Sequence, residues 1–339
     1  MDQQTAWTLA QLNSEFYRTV ADSFSATRQA PWHGWITLTD ILQEGAWSAT
    51  SEADCPSSVG DPAYQTIVLD AACGNLRFES FLQDRFPHTC FEFHAFDNCD
   101  SLLPQVDRRV ASLVFHKCDL MAALLALREA DLQKQISAKQ VFQQQPCTRY
   151  THDQVLSDNQ HRGGEPSLEQ APEQALFGAI PLSGLVVSFG FMHHIPALEN
   201  RIAFLRALIQ AAEPGGYVAV SLWCFMEDAR LARKVRSCWP AAQKALVHRG
   251  VDPSSLEEGD FLLGWQDQHD VWRYCHHFSD EEARMLVDAV ANEGRLIANF
   301  TADGFDNKTN RYLVFRRESA GNLPLKSNAV LPHLATNRG

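Results

Sequence analysis

The sequence predicts an α/β protein: an open, mostly parallel sheet of seven strands, with a β-hairpin at its end and a helical extension in front of it. Three observations lead there. Five short apolar runs alternate with stretches of helical period, the pattern of strands joined by crossover helices. The first three of those runs end in an aspartate, where an open α/β sheet binds its ligands. The last two apolar runs are joined only by a polar turn.

Each element can be justified in order. Residues 7–25 place Leu12, Phe16, Val20 and Phe24 at helical spacing and predict an amphipathic helix. The compact run FSATRQAPWHGW follows, then a short helix around 36–43 and the polar linker SATSEADCPSSVGDPAY. TIVLD (66–70) reads as a buried strand entering the turn AACGN and the helix RFESFLQDRF. CFEFHAFD (90–97) and SLVFHKCD (112–119) are the second and third strands, and 120–142 is helical. GLVVSFG (184–190) and GGYVAVSLW (215–223) are the fourth and fifth, with a helix over 197–213 between them. Ser279 followed by Glu282 matches a capping box that starts a further helix. RLIANFT (295–301) and RYLVFRR (311–317), joined by ADGFDNKTN, form the closing pair.

These elements imply a helical cap at 1–60 carrying a TR-x-x-PW motif, and a sheet domain at 61–317. The sheet domain is interrupted by a flexible insertion at 143–174, rich in Gln, Pro and charge, and by a substrate-side insertion at 226–282. Residues 318–339 read as a disordered tail. At 339 residues, 45% hydrophobic and 21% charged, the chain is too apolar to be disordered throughout and too long to depend on disulfide staples. Its nine cysteines show no C-x-x-C spacing, which fits free thiols in a reducing cytoplasm better than a zinc or redox motif. The start MDQQTAWTLAQ lacks a basic segment before an apolar core, and no apolar run approaches the roughly 20 residues that span a bilayer. A soluble, cytoplasmic protein without a membrane partner is expected.

VLDAACGN carries the first chemistry. A strand ending in Asp70, with Gly74 in the turn, suits a nucleotide-like ligand, because small residues let the backbone approach it. The common pattern has glycine at positions 72, 74 and 76, and here those are Ala72, Gly74 and Leu76. Asp97, 23 residues beyond Gly74, can accept hydrogen bonds from both hydroxyls of a ribose; its competing reading is a helix N-cap or turn residue. Asp119, in Cys118-Asp119-Leu120, can accept from an adenine amino group or cap a helix. His193 and His194, in SFGFMHHIP after the fourth strand, can donate to a substrate oxygen or wall the site; alternatively one packs under the loop and the other is exposed. No metal is expected, since adjacent histidines rarely ligate one ion and no carboxylate cluster accompanies them.

Taken together, VLDAACGN, FDNCDSLL, CDL, VVSFGFMHHIP and AAEPGGYVAVSLW resemble the class I, Rossmann-like methyltransferases that use S-adenosylmethionine, over roughly residues 60–225. YRTVADSFSATRQAPWHGW (17–35) and GDFLLGWQDQHDVWRYCHHFSDEE (259–282) narrow the resemblance to the enzymes that esterify the carboxymethyl group on the wobble uridine of tRNA, among them the yeast enzyme and the methyltransferase domain of the human AlkB-type homologue. The resemblance implies S-adenosylmethionine as cofactor. It implies that Asp70, Ala72, Cys73, Gly74 and Asn75 hold its methionine end, Asp97 and Asn98 the ribose, and Asp119 and Leu120 the adenine. Phe191, His193 and His194 would line the reaction site. Thr27, Arg28 and Trp32 would lie at the cofactor mouth, closed over by Arg273, Tyr274 and His276. Arg28 and Arg273 suit a bidentate grip on a carboxylate, and alternatively belong to ion pairs; Trp32 and Trp265 suit core packing better than a place at the mouth. Leu76 departs from the family pattern and could narrow the methionine pocket or shift the turn. Eukaryotic members work with a small zinc-binding activator subunit, a possible partner here.

A carboxylate nucleophile is ionised at neutral pH and needs no general base, in keeping with the lack of an obvious acid/base pair. Two alternatives stand beside tRNA modification: a methyltransferase for a small molecule, and a non-catalytic methyltransferase-like scaffold whose main support is Leu76. The net charge of −12 argues against a surface that binds polyanions everywhere. It is uneven, however. Residues 230–249 contain Arg230, Arg233, Lys234, Arg236, Lys244 and Arg249 and no acid, leaving −18 on the other 319 residues. That segment is either a solvated helix face or a local contact with the tRNA backbone.

Overall fold

The computed structural model describes residues 1–28, 30–45, 47, 65–99, 110, 112–133, 176–178, 180–266 and 270–318. The expected insertion at 143–174, and the expected tail beyond residue 318, lie outside the described residues. In chain order the elements are α1 (Gln3–Ala26), α2 (His33–Glu44), β1 (Thr66–Ala71), α3 (Arg77–Arg85), β2 (Phe91–Asp97), β3 (Leu113–Lys117), α4 (Leu120–Gln133), β4 (Ser183–Ser188), α5 (Leu198–Ala211) and β5 (Ala212–Trp223). They continue with α6 (Ala229–His248), β6 (Asp260–Gly264), β7 (Trp272–His276), α7 (Asp280–Ala289), β8 (Gly294–Ala302) and β9 (Asn310–Arg317).

Seven strands form one sheet in the order β3-β2-β1-β4-β5-β9-β8. The first five run parallel, and β9 enters antiparallel between β5 and β8. This is the class I methyltransferase arrangement, with the strand order reversing between β1 and β4. A crevice therefore opens beyond the carboxyl ends of those strands.

Alternation along the strands sends side chains to two apolar layers. Leu69, Ala71, Val186, Val218, Val220, Leu313 and Phe315 meet α4, α5 and α7 on one face. Val68, Leu185, Val187, Ala219, Tyr312 and Val314 meet Trp35 and Leu38 of α2 and Phe78 and Leu82 of α3 on the other. Both faces being covered explains why the central strands read as continuous apolar runs.

The helix starts follow local chemistry. Asp2 caps α1 by accepting from Thr5 N at 2.8 Å, so the helix begins at Gln3, four residues before the expected start at residue 7. Ser279 accepts from Glu282 N at 3.1 Å at the head of α7, the backbone half of the expected capping box.

The segment 226–282 holds two elements that periodicity does not reveal, the antiparallel pair β6–β7. It stands on α1: Leu9 and Leu12 pack with Ala242 and Leu246 of α6, Leu262 of β6 and Tyr274 of β7. A buried polar cluster anchors the pair. Asp260 Oδ1 accepts from Tyr274 Oη at 2.6 Å and from His276 Nδ1 at 2.7 Å. Glu282 of α7 accepts from His276 Nε2. Arg201 of α5, 1% exposed, donates to Glu257 at 2.8 Å and to Ile195 O at 3.0 Å. Its Nε lies 2.8 Å from Oε1 of Glu282, an ion-pair contact outside hydrogen-bond direction.

Seven cysteines are described, and no disulfide joins any two of them. No described helix is long and apolar enough to cross a membrane.

Candidate active site

A cavity of about 750 Å³ opens at the carboxyl ends of β1, β2, β4 and β5, lined also by α1 and the start of α2. The turn after β1 forms one wall. Ala72, Gly74 and Leu76 have φ of 68°, 58° and 57°, so the three positions where the pattern expects glycine are all left-handed. Only Gly74 adopts that conformation freely; an L-residue gives up about 1–2 kcal/mol there. The turn is held by Ala72 N and Cys73 N, which donate to Phe96 O at 2.8 and 3.0 Å. Leu76, 3% exposed, packs in the apolar layer with Phe78 and lies outside the cavity lining. The expectation that it narrows the pocket is thereby corrected. At Gly74 an added Cβ would meet no atom within 4 Å, because the residue borders open cavity.

Three acids surround that turn, each in a different state. Asp97 Oδ2 accepts from Gly74 N and its Oδ1 from Cys99 N, both at 2.9 Å. Burial pushes its pKa up to about 6 against the pull of those amides, which leaves it ionised at neutral pH. Asp119 caps α4, its Oδ1 accepting from Ala122 N at 2.9 Å. Its Oδ2 accepts from Asn98 Nδ2 at 3.2 Å and Ser14 Oγ at 3.4 Å, and Leu120 follows it along the lining. The capping and ligand-facing readings of Asp119 therefore coexist. Asp70, 3% exposed, is pushed well up by burial and then by the neighbouring Glu79 and Asp97. Burial pushes Glu79, 0% exposed, up to about 8.

Asn75 differs from expectation. Its Nδ2 donates to Arg28 O at 3.0 Å and Ser25 Oγ at 3.3 Å, and its Oδ1 accepts from Arg77 Nε at 3.0 Å. The amide thus ties the turn to the end of α1, although the residue still borders the cavity.

The loop after β4 brings Phe191, His193 and His194 into the lining through a short 3₁₀ turn. Both histidines are buried, which overturns the alternative in which one packs under the loop and the other is exposed. His194 Nδ1 lies 2.9 Å from Tyr274 O, an acceptor, so it carries the proton; Nε2 then accepts from Tyr17 Oη at 2.6 Å. Burial, then Arg273, lowers the His194 pKa to about 3 and fixes the ring as neutral. His193, pushed well down by burial and the same neighbouring cations, packs 4.9 Å from Trp223. His193, His194 and Cys275 bring ligand-type atoms within 4.8 Å of one another. Both nitrogens of His194 are already engaged, and the positive charge of Arg273 beside the two histidines opposes a cation there.

Arg28 and Arg273 meet across the same cavity. Arg273 is 6% exposed, and its guanidinium lies 5.2 Å from the ring of Phe16, 5.3 Å from Trp223, and 5.9 Å from Phe24 and from Trp265. Arg28 sits 3.5 Å over Phe24 and donates to Thr27 Oγ1 at 3.0 Å. Neither forms an ion pair among the described residues. Burial, then the repulsion of Arg273, lowers the Arg28 pKa to about 10. Trp32 lines the cavity and stacks on Trp35 at 5.4 Å, whereas Trp265 belongs to the aromatic box and donates to Ser23 Oγ at 3.0 Å.

Tyr274 and His276 are corrected. Alternation along β7 turns them away from Arg273, and they lie 0% and 1% exposed in the Asp260–Glu282 cluster, outside the cavity lining. Several lining residues escaped the sequence reading: Asn13 and Tyr17 on α1, Arg77, Trp223, and Asp303, Gly304, Thr309 and Asn310 around the β8–β9 turn. Tyr17 was within reach, since it opens the motif that contains Arg28.

No family model matches the sequence, and no curated protein matches it. Among solved structures the likenesses are to methyltransferases. An amino pentose methyltransferase from Micromonospora echinaspora, with SAM bound, is 11% identical over 88% of this chain and 96% of that one, with a TM-score of 0.42. The 1,6-didemethyltoxoflavin-N1-methyltransferase of Burkholderia thailandensis is 11% identical over 90% of each chain, with a TM-score of 0.39. A SAM-dependent methyltransferase from Methanosarcina mazei is 14% identical over 75% of this chain and 93% of that one, also with a TM-score of 0.39. These likenesses are distant, and the strand order itself is the basis for assigning the fold.

Proposed function

We propose that this chain is an S-adenosylmethionine-dependent methyltransferase whose acceptor is a carboxylate, carried by a modified wobble uridine of tRNA. One observation carries the acceptor class: Arg28 and Arg273 both line the cavity among aromatic rings, and neither forms an ion pair with an acid among the described residues. Two adjacent cations in a low-dielectric pocket repel each other until an anion enters. The tRNA part rests on the resemblance of residues 17–35 and 259–282.

The residues present fit the cofactor. The open space beside Gly74 admits the methionine end, the ionised Asp97 suits ribose hydroxyls, and Asp119 with Leu120 suits the adenine. The bound cofactor supplies a sulfonium methyl with its own leaving group. The chain's part is alignment: Arg28 and Arg273 hold the carboxylate, and the neutral His193 and His194 wall the site without competing for it. No proton need be removed from the nucleophile. Gly74→Ala places a methyl group in the cofactor space at a left-handed φ, so S-adenosylhomocysteine affinity measured by calorimetry should fall at least about tenfold while stability drops by about 1–2 kcal/mol.

The basic helix supports an RNA acceptor. Arg230, Arg233, Lys234, Arg236 and Lys244 are exposed on α6, and Arg230 also reaches the cavity lining. Arg249 pairs with Glu15 at 2.7 Å and is partly neutralised. Replacing Arg233, Lys234 and Arg236 by glutamine should lower the salt-dependence slope of tRNA binding by about three. The deciding experiment is mass spectrometry of tRNA nucleosides from a strain lacking the gene. Loss of a wobble-uridine methyl ester, restored by the purified protein and S-adenosylmethionine, is expected; an unchanged nucleoside profile rejects the tRNA acceptor.

A further inference from the structure

We propose that Tyr17 is the positioning residue for Arg273: its oxygen fixes the in-plane orientation of the guanidinium, and thereby turns the remaining donors toward an acceptor carboxylate. The inference deepens the carboxylate reading above and rests on it. Four rings enclose Arg273, but cation–π attraction holds a guanidinium over a face without fixing its rotation in its own plane. A directional partner is needed for that. The one hydrogen bond that Arg273 makes among the described residues runs from Nη1 to Tyr17 Oη at 3.3 Å, and its buried Nε has no partner.

The orientation of Tyr17 is itself determined. His194 Nδ1 lies 2.9 Å from the Tyr274 carbonyl, which can only accept, and 3.3 Å from the Asn13 amide nitrogen; the shorter contact assigns the proton to Nδ1 and leaves Nε2 to accept. The Tyr17 proton therefore points to His194 at 2.6 Å, and the oxygen lone pairs are left for Arg273. Asn13 secures the far end. Its Oδ1 accepts from Tyr274 N at 2.7 Å, and its Nδ2 donates to His194 O at 3.4 Å. A one-way chain thus runs from the β7 backbone through His194 and Tyr17 to the guanidinium. Neither His194 nor Tyr17 needs to gain or lose a proton for this, and both stay neutral: burial raises the phenol and lowers the imidazole.

The test uses the full chain, labelled with ¹⁵N-arginine, saturated with S-adenosylhomocysteine and titrated with acetate. In the wild type the Arg273 Nη signals should be resolved, because rotation is hindered. Tyr17→Phe keeps the ring and removes the oxygen. It should merge those signals and weaken acetate binding about tenfold, the loss of one charge-assisted hydrogen bond, with S-adenosylhomocysteine affinity unchanged. Acetate affinity that is unchanged in Tyr17→Phe overturns the proposal. So does a parallel loss of both ligands, which marks a general disturbance of the cavity. Incorporating 3-fluorotyrosine at position 17 nearly preserves shape and makes the oxygen a weaker acceptor toward Arg273 while strengthening its donation to His194; it should narrow the Nη splitting, and an unaltered splitting counts against the proposal. If wild-type protein binds S-adenosylhomocysteine but not acetate, the carboxylate reading itself fails and takes this inference with it.

Discussion

Arg273→Met is expected to lower methyl transfer to a carboxylate acceptor by about 100- to 1,000-fold, the range for removing one preorganised charge-stabilising donor group from a buried site. Methionine retains the apolar stem among Phe16, Phe24, Trp223 and Trp265, so the aromatic box stays filled and only the charge is lost. Affinity for S-adenosylhomocysteine should hold, because Asp97, Gly74 and Asp119 lie on other elements. Arg28→Met should have a smaller effect, since Arg28 is half-buried and Arg273 is almost fully enclosed. Initial-rate kinetics against the methylated substrate, beside calorimetric titration of the cofactor product, separate the two effects. A variant that turns over normally would show that Arg273 belongs to the scaffold of the cavity and takes no part in holding the acceptor.

Arg201→Met is expected to destabilise the protein by about 3–5 kcal/mol, read as a shift of the midpoint in urea unfolding. Arg201 is 1% exposed and faces Glu257 and Glu282, so its removal strands acidic groups that nothing else neutralises fully. The same cluster gives stability a pH signature. Burial opposes a charge on His276, but the hydrogen bonds to Asp260 and Glu282 outweigh it and raise the folded pKa above the usual value. A raised histidine stabilises fully below its unfolded value, about 6.5, and loses that contribution as pH rises through the folded value. Relative to His276→Gln, the wild type should therefore lose stability as the pH climbs from the mid-sixes. A difference between the two proteins that does not change over that range would mean that His276 is neutral when folded.

The sheet was legible because its strands are buried on both faces and so read as uninterrupted apolar runs. The β6–β7 pair was not. Its strands are five residues each, and they earn their stability by packing on α1 rather than by their own pattern. The acids at the strand ends were found from position alone, but their states were not. Nothing in a sequence distinguishes Asp97, held by two backbone amides, from Asp70, pushed well up by burial and the nearby Glu79. Tyr274 and His276 show the limit of a motif. Arg273, Tyr274 and His276 are nearly contiguous, yet a strand sends neighbours to opposite faces, and only the first reaches the cavity.

The docking of α1 on β7 also bears on how this protein is made. Asn13 and the Tyr274 amide that it binds are separated by 261 residues of chain, and Leu9 and Leu12 find much of their cover on the same late elements. At ribosomal rates of about 5–20 residues per second, that stripe waits roughly 13–50 s for its partners. A nascent chain therefore carries an uncovered apolar helix for most of its synthesis, a natural target for a holding chaperone. Fragments ending before residue 260 should be prone to aggregate however well the first strands have paired.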